Sequence, residues 1–128
     1  MEISDIKKLV KQGENEVTEF KKKANFPEKI IKEIVAFANT LGGNLLIGVD
    51  DDGAIAGTKT PEEDLFVLED VIARLCSPPI NYTIDVVRIS DRRAVLNYTI
   101  FESEEKPHYV IDPDSSRRKK VYVRRNDR

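Results

Sequence analysis

The sequence predicts an α+β fold: a single layered domain with a mixed, mostly antiparallel sheet and about three packed helices. Three observations carry that expectation. Apolar residues recur at helical spacing in three separate stretches of the first 75 residues. The run Asn44 to Asp50 (NLLIGVD) is almost continuously apolar, which suits a central strand covered on both faces. The last third alternates apolar and polar residues in short runs broken by turn residues, as antiparallel strands do.

The elements follow in order. Ile3, Ile6, Leu9 and Val10 mark a first helix, with Ser4 or Asp5 as its cap and Gly13 as its stop. Val17 to Lys22 alternates as a short strand. Asn25-Phe26-Pro27 opens a second helix, since proline in the first turn has no N–H to lose. Ile30, Ile31, Ile34, Val35, Ala38 and Leu41 form its apolar stripe, widened by Phe37, and Gly42-Gly43 stop it. The apolar strand then ends in Asp50-Asp51-Asp52-Gly53, a turn signal, and Ala54 to Ala56 is expected to pair back. Pro61 to Leu75 reads as the third helix, closed by Ser77-Pro78-Pro79. Strands at Tyr82 to Ile89 and Ala94 to Phe101 are joined at Ser90-Asp91-Arg92. A strand at His108 to Ile111, a loop DPDSSRRK and a last strand at Val121 to Arg124 complete the expected order, all in one sheet.

At 128 residues the chain has room for one core and not comfortably for two. Residues 1–128 are therefore expected to be one domain, the N-terminal module of a longer protein, because the sequence stops in a charged stretch just past a strand. With 40% hydrophobic and 34% charged residues, the composition is globular rather than disordered. No apolar run approaches the roughly 20 residues that span a bilayer, so no membrane partner is expected. Cys76 is the one cysteine, which excludes an intrachain disulfide and fits a cytoplasmic setting. A single cysteine and a single histidine also cannot build a Cys/His zinc site.

The net charge of −2 hides an asymmetry. From Lys106 onward there are eight bases against three acids, which leaves 13 bases against 20 acids before it. A basic flank on an acidic body can follow a phosphate backbone, and it can equally be a solvated loop.

Several chemistries can be set aside. The segment GAIAGTKT (Gly53 to Thr60) resembles a phosphate-binding loop, but its glycines are one position too close and Thr58 precedes Lys59. Three aspartates just before it would repel a triphosphate. His108, with no second histidine, reads as a strand histidine facing solvent or a neighbour, and Cys76 as a small buried apolar residue. What remains is acidic: Glu14 and Glu19 flank the first strand, and Asp50 to Asp52 leave the apolar one. If those strands are neighbours, the carboxylates can meet at one edge, where hard oxygen ligands select Mg²⁺ or Mn²⁺. Ordinary turn chemistry explains the aspartates as well.

The set Glu14-x-x-x-x-Glu19-Phe20-Lys21, Ala36-Phe37-Ala38-Asn39-Thr40-x-Gly42-Gly43 and Leu46-Ile47-Gly48-Val49-Asp50-Asp51-x-Gly53-x-Ile55-x-Gly57 resembles the Schlafen AlbA-like domain. The stretches KPHYV and VYVRRND are similar to that domain's closing strands. The resemblance implies a DNA-binding module of the kind found in predicted transcriptional regulators. In animal Schlafen proteins two copies of the fold form a cleft for structured RNA, and some members cleave tRNA or rRNA. Their catalytic acids, matched to this sequence, fall on Glu14, Glu19 and Asp51.

The first expectation is therefore a nucleic-acid-binding module, for DNA or structured RNA, that needs no cofactor. Phosphate contacts would come from Lys21, Lys22, Lys23, Arg117, Arg118, Lys119, Lys120, Arg124 and Arg125. One copy per chain makes a homodimer the expected assembly. The alternative is a metal-dependent endoribonuclease in which Glu14, Glu19 and Asp51 hold Mg²⁺ or Mn²⁺. An ATPase is not expected.

Overall fold

The computed structural model describes residues 1–112 and 114–126; for Ser115, Ser116 and Arg117 it describes the backbone alone. The elements are α1 (Ile3–Gln12), β1 (Thr18–Lys21), α2 (Pro27–Asn39), β2 (Gly43–Ile47), α3 (Pro61–Leu75), β3 (Cys76–Ser77), β4 (Tyr82–Arg88), β5 (Ala94–Ile100), β6 (Tyr109–Asp112) and β7 (Ser115–Lys120). Three helices and predominantly antiparallel strands make this an α+β fold, as the sequence predicts. No helix is long and apolar enough to cross a membrane among the described residues.

The strands divide between two sheets rather than sharing one. The larger has the order β1-β2-β5-β4, and the smaller the order β3-β6-β7. In the larger sheet β1 pairs parallel with β2, while β5 is antiparallel to both β2 and β4. Strands β1, β2 and β4 therefore run in one direction, with α2 and α3 as the crossovers between them. Both helices return against the strand direction, so both begin at the carboxyl ends of β1, β2 and β4.

Side-chain alternation sorts the core into two layers. Leu45 and Ile47 of β2 and Leu96, Tyr98 and Ile100 of β5 pack against Ile30, Ile31, Ile34 and Phe37 of α2 and Leu68 and Ile72 of α3. Phe20, Leu46, Val87 and Val95 face the other way and are covered by Ile6 of α1, with Ile3, Leu9 and Val10 around it. The large layer buries most of the apolar area, and hence most of the hydrophobic stabilisation.

Close backbone approaches explain two of the glycine pairs. A Cβ on Gly42 would sit 2.6 Å from the Ile100 carbonyl, and one on Gly43 2.6 Å from the Phe37 ring. Gly48, at φ +102°, passes so near Gly57 that a Cβ would meet the Gly57 Cα at 2.8 Å.

Ala54 to Ala56 pairs back as expected, through the Val49–Ile55 bridge, with the Asp50 amide on the Ala54 carbonyl at 2.9 Å and the Ala56 amide on the Gly48 carbonyl at 3.1 Å around the Asp50-to-Gly53 turn. Two other local expectations need correction. The expected loop DPDSSRRK is largely a strand, β7, paired with β6 through Val110–Lys120 and Ile111–Lys119. Val121 to Arg124, read as a strand, lies outside the named strands; its Tyr122 carbonyl and Arg124 amide bond instead to the side chains of Asn39, the last residue of α2, and Thr40, just past it.

Candidate functional site

The sequence signature closes on one cluster at the outer edge of β1. Asn39, the last residue of α2, donates from Nδ2 to the carbonyls of His108 and Tyr122, at 3.0 Å each, and accepts the His108 amide at 2.7 Å. Thr40 accepts the Arg124 amide at 3.0 Å while donating to the Ala36 carbonyl at 2.8 Å. One Asn-Thr step thus fastens two remote stretches, KPHYV and VYVRR, to the end of α2.

Arg124 then turns inward. Its side chain has no exposed surface, and its guanidinium lies 4.3 Å above the Phe37 ring. Nε donates to the Glu16 carbonyl at 2.9 Å, and Nη2 to the carbonyls of Asn15 at 2.6 Å and Thr18 at 3.5 Å. Nη1 donates to Glu19 Oε1 at 3.3 Å and to Glu33 Oε2. A planar fork with five donors suits a site offering five acceptors in several directions. Because β1 is an edge strand, the arrangement also covers part of that edge, at the Thr18 carbonyl that the Asn15 amide already bonds at 3.1 Å. Arg124 was expected on phosphates; with its donors all engaged inside the protein, it is a structural residue.

The acids expected to hold a metal have other partners here. Glu14 Oε1 accepts the Phe20 amide at 3.1 Å, again on the β1 edge. Glu19 is buried, with Oε1 on Arg124 and Oε2 3.6 Å from Lys21 Nζ. Its carboxyl is pushed up to about 7, first by burial and then by the Glu33 and Glu14 carboxylates, against the pull of Lys21 and Arg124. Asp51 is exposed on the turn beyond the carboxyl end of β2, whereas Glu19 pairs in register with Leu45, well inside that strand. Among the described residues no three His, Cys, Asp or Glu side chains are grouped so as to hold a metal ion. The donor set as folded, one acid occupied by arginine and one remote, does not fit Mg²⁺ or Mn²⁺.

His108 and Cys76 are both interior. His108, expected on a strand, precedes β6 and is buried, with Nδ1 donating to the Pro78 carbonyl at 2.8 Å and Nε2 2.5 Å from Ser103 Oγ. Cys76 is buried as expected, and burial pushes its thiol up to about 12.

A different feature gathers cations. At the carboxyl ends of β1, β2 and β4 lies a groove of about 640 Å³. One wall is the β1–α2 connection with Lys22, Lys23, Asn25 and Pro27; the floor is Ala56 to Thr60, including Lys59; Arg93 lines the groove too, with Nη1 donating to the Gly57 carbonyl at 3.3 Å. A bridge between Thr58 and Ala94 brings the floor to the start of β5. Lys59 and Arg93 also line an adjoining hollow with Arg88, Arg92, Glu62 and Asp91, in which Arg88 is paired with Glu62 at 2.9 Å, so that Lys59, Arg92 and Arg93 carry its basic character along the β4–β5 turn. The other wall is the first turns of α3, with Glu63, Asp64 and Val67. Asp64 is already engaged by the hydroxyls of Thr58, at 2.5 Å, and Thr60, at 3.1 Å. In a parallel strand–helix–strand unit such as β1-α2-β2, the carboxyl end of the strands, where the helix begins, is a common place for a ligand.

Lys22 and Lys23 thus sit where phosphate could reach them, while Lys21 is half-buried beside Glu19. Lys59, Arg88, Arg92 and Arg93 were not expected. Each is isolated or paired in sequence, and only the common end of β2, β4 and β5 brings them to Lys22. Arg118, Lys119 and Lys120 belong to the small sheet, with Arg118 4.0 Å from Asp112 and the Lys119 Nζ 5.9 Å from the Tyr109 ring centre. Arg125 is exposed beside Arg124. The Arg117 side chain lies outside the described residues.

Comparison with known proteins agrees with the resemblance. Residues 14–128 match the family described as Schlafen, AlbA_2. No curated protein matches the chain. Among solved structures, the N-terminal domain of a RecG-related protein from Nitrosomonas europaea, determined by solution NMR, has a TM-score of 0.69 at 18% identity, covering 100% of this chain and 92% of that one. The likeness to that domain is one of fold. With the match running from Glu14 through the groove to the Arg124 cluster, the chain belongs to the Schlafen AlbA_2 family.

Proposed function

We propose that this domain binds nucleic acid through phosphate contacts in the groove at the carboxyl ends of β1, β2 and β4. The observation that carries the reading is the convergence of Lys22, Lys23, Lys59 and Arg93 around one cavity on an otherwise acidic body. Membership of the Schlafen AlbA_2 family supports it, as does likeness to a domain from a protein named as RecG-related. Contacts of this kind give affinity and salt dependence and little sequence readout. The expected homodimer would place two such grooves in one particle, which sedimentation with and without oligonucleotide reads directly. Placement within a transcriptional regulator rests on the family resemblance alone.

Fluorescence anisotropy with labelled single strands, duplex DNA and tRNA tests the reading. Four phosphate contacts give a log–log salt slope of roughly −3, so affinity should fall about 50-fold between 50 and 200 mM salt. Salt-independent binding, or none, overturns it. The same samples incubated with Mn²⁺ report on cleavage; turnover lost in Glu19→Ala and Asp51→Ala would return catalysis to the acids.

A further inference from the structure

Resting on that reading, we infer that the groove selects an unpaired guanine in the bound strand, with Glu63 as the residue that reads it. The first turn of α3 carries Glu62, Glu63 and Asp64, and two of these are occupied. Glu62 pairs with Arg88 at 2.9 Å, and Asp64 accepts the hydroxyls of Thr58 and Thr60. Glu63 stands between them, exposed, on the groove wall, and among the described residues no side chain bonds to its carboxylate. Beside Lys22, Lys23, Lys59 and Arg93, such an acceptor opposes a phosphate ligand unless it meets donors. Its surroundings give a base a place to lie. Val67 follows Glu63 by one turn on the same face of α3, and lines the groove with Ala24, Pro27 and Ala56. The cavity, about 640 Å³, is within the roughly 300–1,000 Å³ of clefts that enclose small ligands, so it admits a nucleotide with its phosphate on the lysines.

The chemistry of the bases then decides which one fits. A carboxylate offers two oxygens side by side and no donor. Guanine alone presents two adjacent donors on its Watson–Crick edge, N1–H and the N2 amino group, which can meet both oxygens at once. Adenine and cytosine set an amino group beside a ring nitrogen that accepts, so one carboxylate oxygen would face a lone pair. Thymine and uracil set a single N–H between two carbonyls. Desolvating the carboxylate against any of these leaves an acceptor without a donor, and that cost is the source of discrimination. In a duplex the same two guanine donors are held by cytosine, so the contact is open only to an unpaired base.

The experiment titrates wild type, Glu63→Gln and Glu63→Ala with a short labelled oligothymidine carrying one central guanine, adenine, cytosine or hypoxanthine, at fixed salt. Wild type should bind the guanine strand roughly 5- to 100-fold more tightly than the adenine and cytosine strands, as a bidentate base contact gives. Hypoxanthine keeps N1–H and lacks the N2 amino group, so its strand should fall between them. Both variants should lose the preference while binding the adenine strand at least as tightly as wild type, since an anionic side chain has left the groove. Annealing the guanine strand to its complement should remove the preference in wild type. Guanosine monophosphate, with its single phosphate, should displace the strand only in large excess; displacement at equal concentration overturns a strand as the occupant. Equal affinity of wild type for all the strands, or a guanine preference kept in both variants, overturns the role of Glu63 and leaves phosphate binding in the groove intact. Absence of any binding by wild type overturns both.

Discussion

Arg124 and Glu19 are 105 residues apart in the chain, yet Nη1 lies 3.3 Å from Oε1 where the arginine side chain has no exposed surface. Glu33 shares the same Nη1, so one cation serves two carboxylates between β1 and α2. The pair joins two stretches of the sequence signature, Glu19-Phe20-Lys21 and VYVRRND, through a structural contact. It ties the end of the chain to the first strand of the sheet.

Removing that cation should be costly. Arg124→Met leaves Glu19 and Glu33 facing each other with the half-buried Lys21, 3.6 Å from Glu19, as the remaining cation, and loss of one partner from a buried pair costs about 3–5 kcal/mol. Arg124→Lys keeps the charge but cannot reach five acceptors at once, so it should recover only part of the loss. Urea denaturation reads both. Adding Glu19→Gln to Arg124→Met should restore some stability, since the orphaned charge is then gone.

The same cluster gives stability a distinct pH dependence. The folded Glu19 carboxyl is raised from 4.5 to about 7. Between those values the folded chain holds a proton that the unfolded chain has released, so this group makes the fold less stable as pH rises from about 4.5 to 7. Above about 7 the charged form is present in both states and the loss is complete. Chemical denaturation from pH 5 to 8 should show the decline in wild type and a flatter profile in Glu19→Gln.

Asn39→Ala removes one acceptor and two donors that hold the His108 and Tyr122 backbones. Three net hydrogen bonds together are worth about 2–4 kcal/mol. Amide exchange should locate the loss, with the His108 N–H exchanging faster while amides of α1 are affected only through global stability.

Gly48→Ala meets two obstacles, a φ of +102° and the Gly57 Cα 2.8 Å from the new methyl. Strain and overpacking together should cost about 2–5 kcal/mol. At Gly13, φ +79° and ψ 177°, nothing lies within 4 Å, so Gly13→Ala should carry only the backbone part, about 1–3 kcal/mol. Thermal unfolding of the two variants distinguishes steric contact from backbone strain.

These residues also show what the sequence made legible. The three helices were readable because each has an apolar stripe bounded by proline or glycine; α3 runs Pro61–Leu75, as the spacing predicts. Strand β7 was hidden because SSRRKK has no apolar alternation, its partner β6 supplying the pairing. Val121 to Arg124 misled in the opposite sense: it alternates like a strand, but Asn39 and Thr40 take its backbone groups. Arg124 sits among basic residues and therefore read as a surface cation; the two carboxylates that bury it are 105 and 91 residues away. The groove was invisible for a related reason. Lys59, Arg88, Arg92 and Arg93 form no run with Lys22 and Lys23, and only the shared direction of β1, β2 and β4 gathers them.

The most direct test of the account reverses charge in two places of equal size. Lys22→Glu with Lys59→Glu alters the groove, and Lys119→Glu with Lys120→Glu alters the small sheet; all four side chains are exposed, so folding should survive both. Affinity for a labelled single strand at 100 mM salt is the quantity to measure. The groove reversal discards two phosphate contacts and adds repulsion where they are made, whereas the small-sheet reversal makes the same change of net charge away from the bound strand. The account predicts a loss of about 50-fold or more for the groove pair and less than about threefold for the small-sheet pair. Loss confined to the Lys119 and Lys120 pair, with the groove pair binding as wild type, would contradict it.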